Sequence, residues 1–211
     1  MVKTVILSPQ RRHNVVMSEN ETREFTRRVP TFRTRKQELY DSDVAAHLIR
    51  IWDEENDPEK LISYFFKKCG RLSNPEYWEL LRTVWIAAGS TETADKFRRL
   101  MMSKRAARSW FMTVEDAETL KAMPEEFTVY RACAPYYNLY EDDIVVDTFD
   151  IPEEEIDNGD IEDPGISWTL DPVWCREYAK RKHRIVKAKR VKKEEVFAYI
   201  SRRGEEEIII L

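Results

Sequence analysis

The chain has 211 residues, 42% of them hydrophobic and 11% aromatic, enough for one substantial domain or one domain with a helical annex. A formal net charge of -4 disfavours nucleic acid as the main partner, and nine prolines with only five glycines exclude a linker-dominated chain. Three cysteines (Cys69, Cys133, Cys175) and three histidines (His13, His47, His183) are scattered without paired spacing, so free thiols in a reducing compartment are expected and a zinc site is not. The opening residues carry too short an apolar run for a signal peptide, and no stretch reaches membrane-spanning length. The expectation is a soluble cytoplasmic protein.

Residues 1 to 40 are polar and lean basic, with Arg11, Arg12, Arg23, Arg27, Arg28, Arg33, Arg35 and Lys36. Val2 to Leu7 has the composition of a strand. The rest lacks apolar periodicity and reads as an extended arm, either solvated and partly disordered or in contact with an acidic partner or with the chain's own acidic run. Residues 41 to 122 read as helical. Asp41 or Ser42 is placed to cap a helix carrying Val44, Leu48, Ile49 and Trp52. Asp57-Pro58 and Asn74-Pro75 open two more, stopped at Gly70 and Gly89. A fourth runs from Thr91 to Trp110, and a short helix follows Thr113. The aromatic residues sit at helical spacing, which is the pattern of core packing, and no chemistry is assigned to this half.

The pattern changes at Pro124. Glu126 to Arg131 alternates in period two, with Phe127, Val129 and Arg131 on one face and Thr128 and Tyr130 on the other. From Ala132 through Cys175 there is no Lys or Arg, and acidic residues crowd the stretch from Glu141 to Asp163. It reads as a solvated loop or as a negative lip toward a basic target. From Arg176 onward the sign reverses. Ser167 and Thr169 alternate with Ile166, Trp168 and Leu170, so both hydroxyls share a strand face. Asp171-Pro172 then opens a helix containing Trp174 and Tyr178. Two further strands follow, from Arg184 to Val191 and from Glu195 to Ser201. The last, Glu205-Glu206-Glu207-Ile208-Ile209-Ile210, is apolar without alternation, as in a buried strand. Glu205 and Glu207 fall on one face, roughly 7 Å apart. Such a pair can position a sugar hydroxyl and an incoming nucleophile, or it can keep a strand edge soluble.

The order strand-Arg (Tyr130-Arg131-Ala132), Ser-x-Thr before a helix (Ser167-Trp168-Thr169) and Glu-x-Glu entering a last strand (Glu205-Glu206-Glu207) resembles the mono-ADP-ribosyltransferases of the arginine-serine-glutamate class, as found in bacterial toxins and bacteriophage-encoded enzymes. The resemblance covers residues 124 to 211. It departs at Ala132, where glycine is common, and at Thr169, where a second serine is common. It implies an α+β fold: a basic arm over 1–40, a helical part over 41–122 and an ADP-ribosyltransferase-like split β-sandwich over 123–211, with NAD in a cleft between two small sheets.

The resemblance also implies roles. Arg131 holds the NAD phosphates or the adjoining ribose. Ser167 orients Glu207, and Glu207 stabilises the charge that develops as nicotinamide leaves. Glu205 orients or deprotonates the acceptor, which the Glu-x-Glu spacing implies is arginine. Trp168, Thr169 and Tyr178 complete the NAD-binding set, with Trp168 and Tyr178 open equally to stacking on nicotinamide or to core packing. No metal is required. The implied function is NAD-dependent mono-ADP-ribosylation of a protein with a basic surface, without membrane involvement. The alternatives are a catalytically silent binding or inhibitor protein of the same fold, and an NAD glycohydrolase.

Overall fold

The computed structural model describes residues 33–90, 92–133, 165–182, 184–202 and 205–211. The readings made for Val2 to Leu7, most of the basic arm, His183 and the acidic run lie outside these residues.

Among the described residues the first helix, α1 (Arg35–Arg50), starts well before Asp41 or Ser42, the caps that the sequence suggests. Its N-cap is Thr34, whose side chain accepts from the Gln37 backbone N–H at 3.2 Å. The expected cap, Asp41, lies inside the helix instead and is 2% exposed. Its Oδ1 accepts from Gln37 Nε2 at 2.7 Å and from the Ser73 backbone N–H at 3.1 Å. A carboxylate that looks like a helix start is therefore an anchor between helices, which only the tertiary contact reveals.

After a π-helical turn over Ile51–Glu55, α2 (Pro58–Lys68) is capped by Asp57, whose Oδ1 accepts from Lys60 N–H at 3.0 Å. The next helix, α3 (Asn74–Ala88), has Pro75 in its first turn and ends at Gly89, as expected. The fourth, α4 (Ala94–Met101), is much shorter than the expected span from Thr91 to Trp110. The reason is Arg105: its guanidinium donates to the carbonyls of Cys69, Gly70 and Leu72, and Arg108–Phe111 forms a separate 3-10 turn. Then α5 (Val114–Ala122) begins behind Thr113, whose hydroxyl accepts from Asp116 N–H at 3.1 Å.

The second half contains β1 (Glu126–Cys133), β2 (Ser167–Thr169), α6 (Pro172–Lys182), β3 (Ile185–Lys192), β4 (Val196–Arg202) and β5 (Glu205–Ile210). Asp171 caps α6, its Oδ1 accepting from Val173 and Trp174 N–H at 2.8 and 3.0 Å. The strands form a single five-stranded sheet in the order β3-β1-β2-β5-β4, every pairing antiparallel. Among the described residues this sheet consists of two ladders, β3-β1 and β2-β5-β4, meeting at a narrow junction. The strand β2 pairs with β5 at three positions but with β1 only at Tyr130↔Thr169. The fold is α+β, helices first and strands after.

Register assigns the faces. Tyr130, Thr169, Glu207 and Ile200 form one row across the sheet. On that face Ala198, Ile200 and Ile209 join the main core built by α1 to α4 around Trp78, Phe65 and Phe97. Farther along it, α6 sets Cys175 and Ala179 against Ala132 and Val186. The opposite face packs Val129, Trp168, Val191, Tyr199 and Ile208 with Leu120 and Met123. The strand β5 is thus covered on both sides, and Ile208 and Ile209 are fully buried. That explains its unbroken apolar run, each isoleucine contributing about 1.5–3 kcal/mol of burial. The flanking strands are β3 and β4, so the glutamates of β5 do not shield a sheet edge. Asp116 ties the halves together: it accepts from Ser201 N and Oγ at 3.0 and 2.8 Å and from Arg82 Nη2 at 2.9 Å.

Candidate active site

Helices α1 to α4 and α6 lie on one face of the sheet and leave a cavity of about 500 Å³ between them, over the junction of β1, β2 and β5. That volume lies within the range of small-molecule and cofactor sites, which is roughly 300–1,000 Å³. Arg131, Ser167, Thr169, Tyr178 and Glu207, drawn from four separate elements, all line it.

Glu207 lines the cavity from β5, and Glu92 lines it from the segment before α4. Ser167 and Glu207 share a sheet face but are diagonal neighbours, because Ser167 pairs with Ile209 and Thr169 with Glu207. The short serine and the longer glutamate close that diagonal, and Ser167 Oγ donates to Glu207 Oε1 at 2.5 Å. The same oxygen accepts from the indole Nε1–H of Trp85, on α3, at 3.1 Å. Trp85 is 5% exposed and is held edge-on to Phe97, ring centroids 4.9 Å apart. Gly89 ends α3 directly behind it. A Cβ there would stand 2.6 Å from the Trp85 carbonyl oxygen and 2.7 Å from the indole ring.

Arg131 is 9% exposed. Alternation puts it on the face of Val129, but past Tyr130 the strand β1 has no further pairing with β2. The guanidinium reaches across that opening, and Nη1 donates to the Ser167 carbonyl. Gly165 lets it do so, since any Cβ at 165 would overlap the guanidinium.

Trp168 contributes to the cavity wall, yet it is 8% exposed and its ring belongs to the apolar cluster of the opposite face. Of the two readings open for Trp168, core packing is the one it satisfies. The surface suited to stacking is on α6, where Trp174 and Tyr178 are stacked with centroids 5.2 Å apart and planes 9° from parallel. Thr169 is 6% exposed and its hydroxyl oxygen accepts from Asp171 N–H at 3.1 Å, so it shapes the turn into α6. Glu206 is exposed, paired opposite Ser201 and outside the row that carries Glu207. Glu205 stands opposite Arg202 at the entrance of β5, two positions before Glu207.

Several groups in the wall have no distinguishing sequence signal. Arg184 donates to the Ala132 carbonyl at 3.2 Å and lies 6.0 Å from the Tyr178 ring centre. Across the mouth, a bond from Ser90 holds the Glu92 carboxyl below its ordinary range, with Arg184 adding in the same direction. Burial pushes the Cys175 thiol up to about 11 against the opposing charge of Arg131. Trp85 sits at core spacing in its helix, Trp174 follows a helix start, and Arg184 is one cation in a basic run. None of these patterns separates a wall residue from an ordinary core or surface residue.

Chemically, the cavity wall carries a carboxylate that accepts from Ser167 and Trp85, a buried guanidinium and the stacked Trp174–Tyr178 pair. Comparison with protein-family models, curated proteins and solved structures finds no match to this chain.

Proposed function

We propose that the protein is an NAD-dependent mono-ADP-ribosyltransferase that modifies a protein target and releases nicotinamide. The observation that carries this reading is Glu207, facing the cavity with Ser167 Oγ and Trp85 Nε1 bonded to one of its oxygens. In the ring of residues around it, Arg131 supplies a fork for phosphate oxygens, with Arg184 a second cation on the same wall. The Trp174–Tyr178 pair offers an aromatic face to a flat heterocycle. The missing Cβ atoms of Gly165, before β2, and Gly89, at the end of α3, leave room for the Arg131 and Trp85 side chains in the cavity wall.

In this reading the C–N bond between the ribose and nicotinamide breaks, and nicotinamide takes the electron pair. Glu207 stabilises the positive charge left on the sugar, an electrostatic contribution on the order of 3 kcal/mol. The acceptor then forms the new bond to the same carbon and loses its proton, a role this reading gives to Glu205. In the family this chain resembles, the Glu-x-Glu spacing goes with arginine acceptors, and the acidic run of the sequence from Glu141 to Asp163 would suit a basic partner. The split β-sandwich architecture and a cytoplasmic setting belong to this same proposal.

The test is incubation of the protein with labelled NAD and a bacterial lysate, wild type beside Glu207→Ala. A discrete labelled protein band that disappears in the variant is expected. Free ADP-ribose with no labelled band replaces the transferase with a glycohydrolase. Neither NAD consumption nor NAD binding leaves a silent binding protein.

A further inference from the structure

Trp85 belongs to the helical half, 122 positions away from the carboxylate it touches. Apolar packing against Phe97 would be met by any large aromatic ring at this position. The indole N–H is what a tryptophan adds, and a buried indole N–H requires an acceptor. Here that acceptor is Glu207 Oε1, the same atom that Ser167 Oγ reaches from β2. Two donors from opposite halves of the chain therefore converge on one carboxylate oxygen and restrain its rotation from both sides. Gly89 maintains the arrangement, because a side chain there would press on the indole ring.

From this geometry we infer that Trp85 is a positioning residue for Glu207, and that the helical half is part of the active site. The inference rests on reading Glu207 as the carboxylate that acts on NAD. Trp85 acts through Glu207: its donor fixes the carboxylate's orientation and favours its ionised form. Loss of the donor should slow the chemical step while leaving substrate affinity nearly unchanged.

Two measurements on the full chain test this. In protein labelled with ¹⁵N at its six tryptophan indoles, the Trp85 resonance is assigned by its absence in Trp85→Phe. Its chemical shift is expected to follow pH as the carboxylate titrates, and to lose that dependence in Glu207→Gln. An indole signal indifferent to Glu207→Gln overturns the inference, whether or not the protein turns over NAD. In steady-state nicotinamide release, Trp85→Phe is expected to lower kcat roughly 10- to 100-fold, the scale of one bond to a charged group. KM should stay within about threefold, and the acid limb of the pH profile should move upward. Gly89→Ala, which displaces the ring without removing it, is expected to act in the same direction. A raised KM with kcat intact would make Trp85 only a cavity wall and overturn the inference. A wild type that does not turn over NAD defeats the functional reading, and the indole titration still decides the contact.

Discussion

Gly165 occupies a position where any side chain would overlap the guanidinium of Arg131. The backbone of the segment entering β2 thus passes directly over the one buried arginine of β1, and the arginine uses that space to reach the Ser167 carbonyl. Gly165→Ala must displace one or the other. Overpacking of this kind costs about 1–3 kcal/mol, so denaturant unfolding should show a loss of that size. In an Arg131→Ala background the same change should have little effect, because the clash partner is gone. Equal losses in both backgrounds would show that the cost lies elsewhere in the chain.

Ser167→Ala removes one of the two donors on Glu207 and leaves the strand pairings in place. Nicotinamide release should fall by roughly 10- to 100-fold, the value of a hydrogen bond to a charged group. The melting temperature should move little. Turnover equal to wild type would mean that the Ser167 bond is not needed to orient the carboxylate.

Asp116 predicts a pH dependence of stability. Burial pushes its carboxyl up, but the bonds from Ser201 N and Oγ, together with Arg82 and Thr113, outweigh burial and hold it below the ordinary 3.8. A carboxyl with a depressed folded value contributes stability fully above its unfolded value and loses it as pH falls through the folded one. Asp116→Asn should therefore destabilise by about 2–3 kcal/mol at pH 7. The gap to wild type should shrink as the pH drops below about 4. Urea titrations of both proteins at several pH values give the answer, and a gap that widens in acid would reverse the sign of the argument.

The thiols should report folding. Cys133 and Cys175 are buried, and burial raises Cys175 to about 11 and also raises Cys69. At pH 8 a thiol-specific chromogenic reagent should modify the native protein slowly, with Cys69 first, since it is the one partly exposed thiol. All three should react at once in denaturant. Rapid native modification of Cys175 would place that helix in frequent exchange with an open form.

Much of the outline was legible in the sequence because it depends on local chemistry. Asp57-Pro58, Thr113 and Asp171-Pro172 start helices since a short oxygen-bearing side chain can satisfy N–H groups two or three residues on, and all three do so here. Period-two alternation separated the faces of β1 and β2, and the Ile run of β5 signalled burial on both sides. The sequence left the register open among Glu205, Glu206 and Glu207; the choice of Glu207 came from the family resemblance, in which the glutamate beside the apolar run is the catalytic one, and Glu207 does line the cavity.

Other features exist only in three dimensions. Asp41 looks like a helix cap until Ser73, 32 positions away, donates to it. The helix after Thr93 stops early because Arg105 is drawn to carbonyls of the turn between α2 and α3, a long-range competition invisible to periodicity. The two ladders become one sheet through a single pairing, Tyr130↔Thr169, which no pattern in either strand specifies. Trp85 shows the division most sharply. Its spacing makes it a core residue, and it is one, but its N–H meets Glu207 only because α3 packs across β5. Local sequence determines which face a side chain occupies. What that face meets is decided by the packing of elements far apart in the chain, and there the candidate site acquired its second donor.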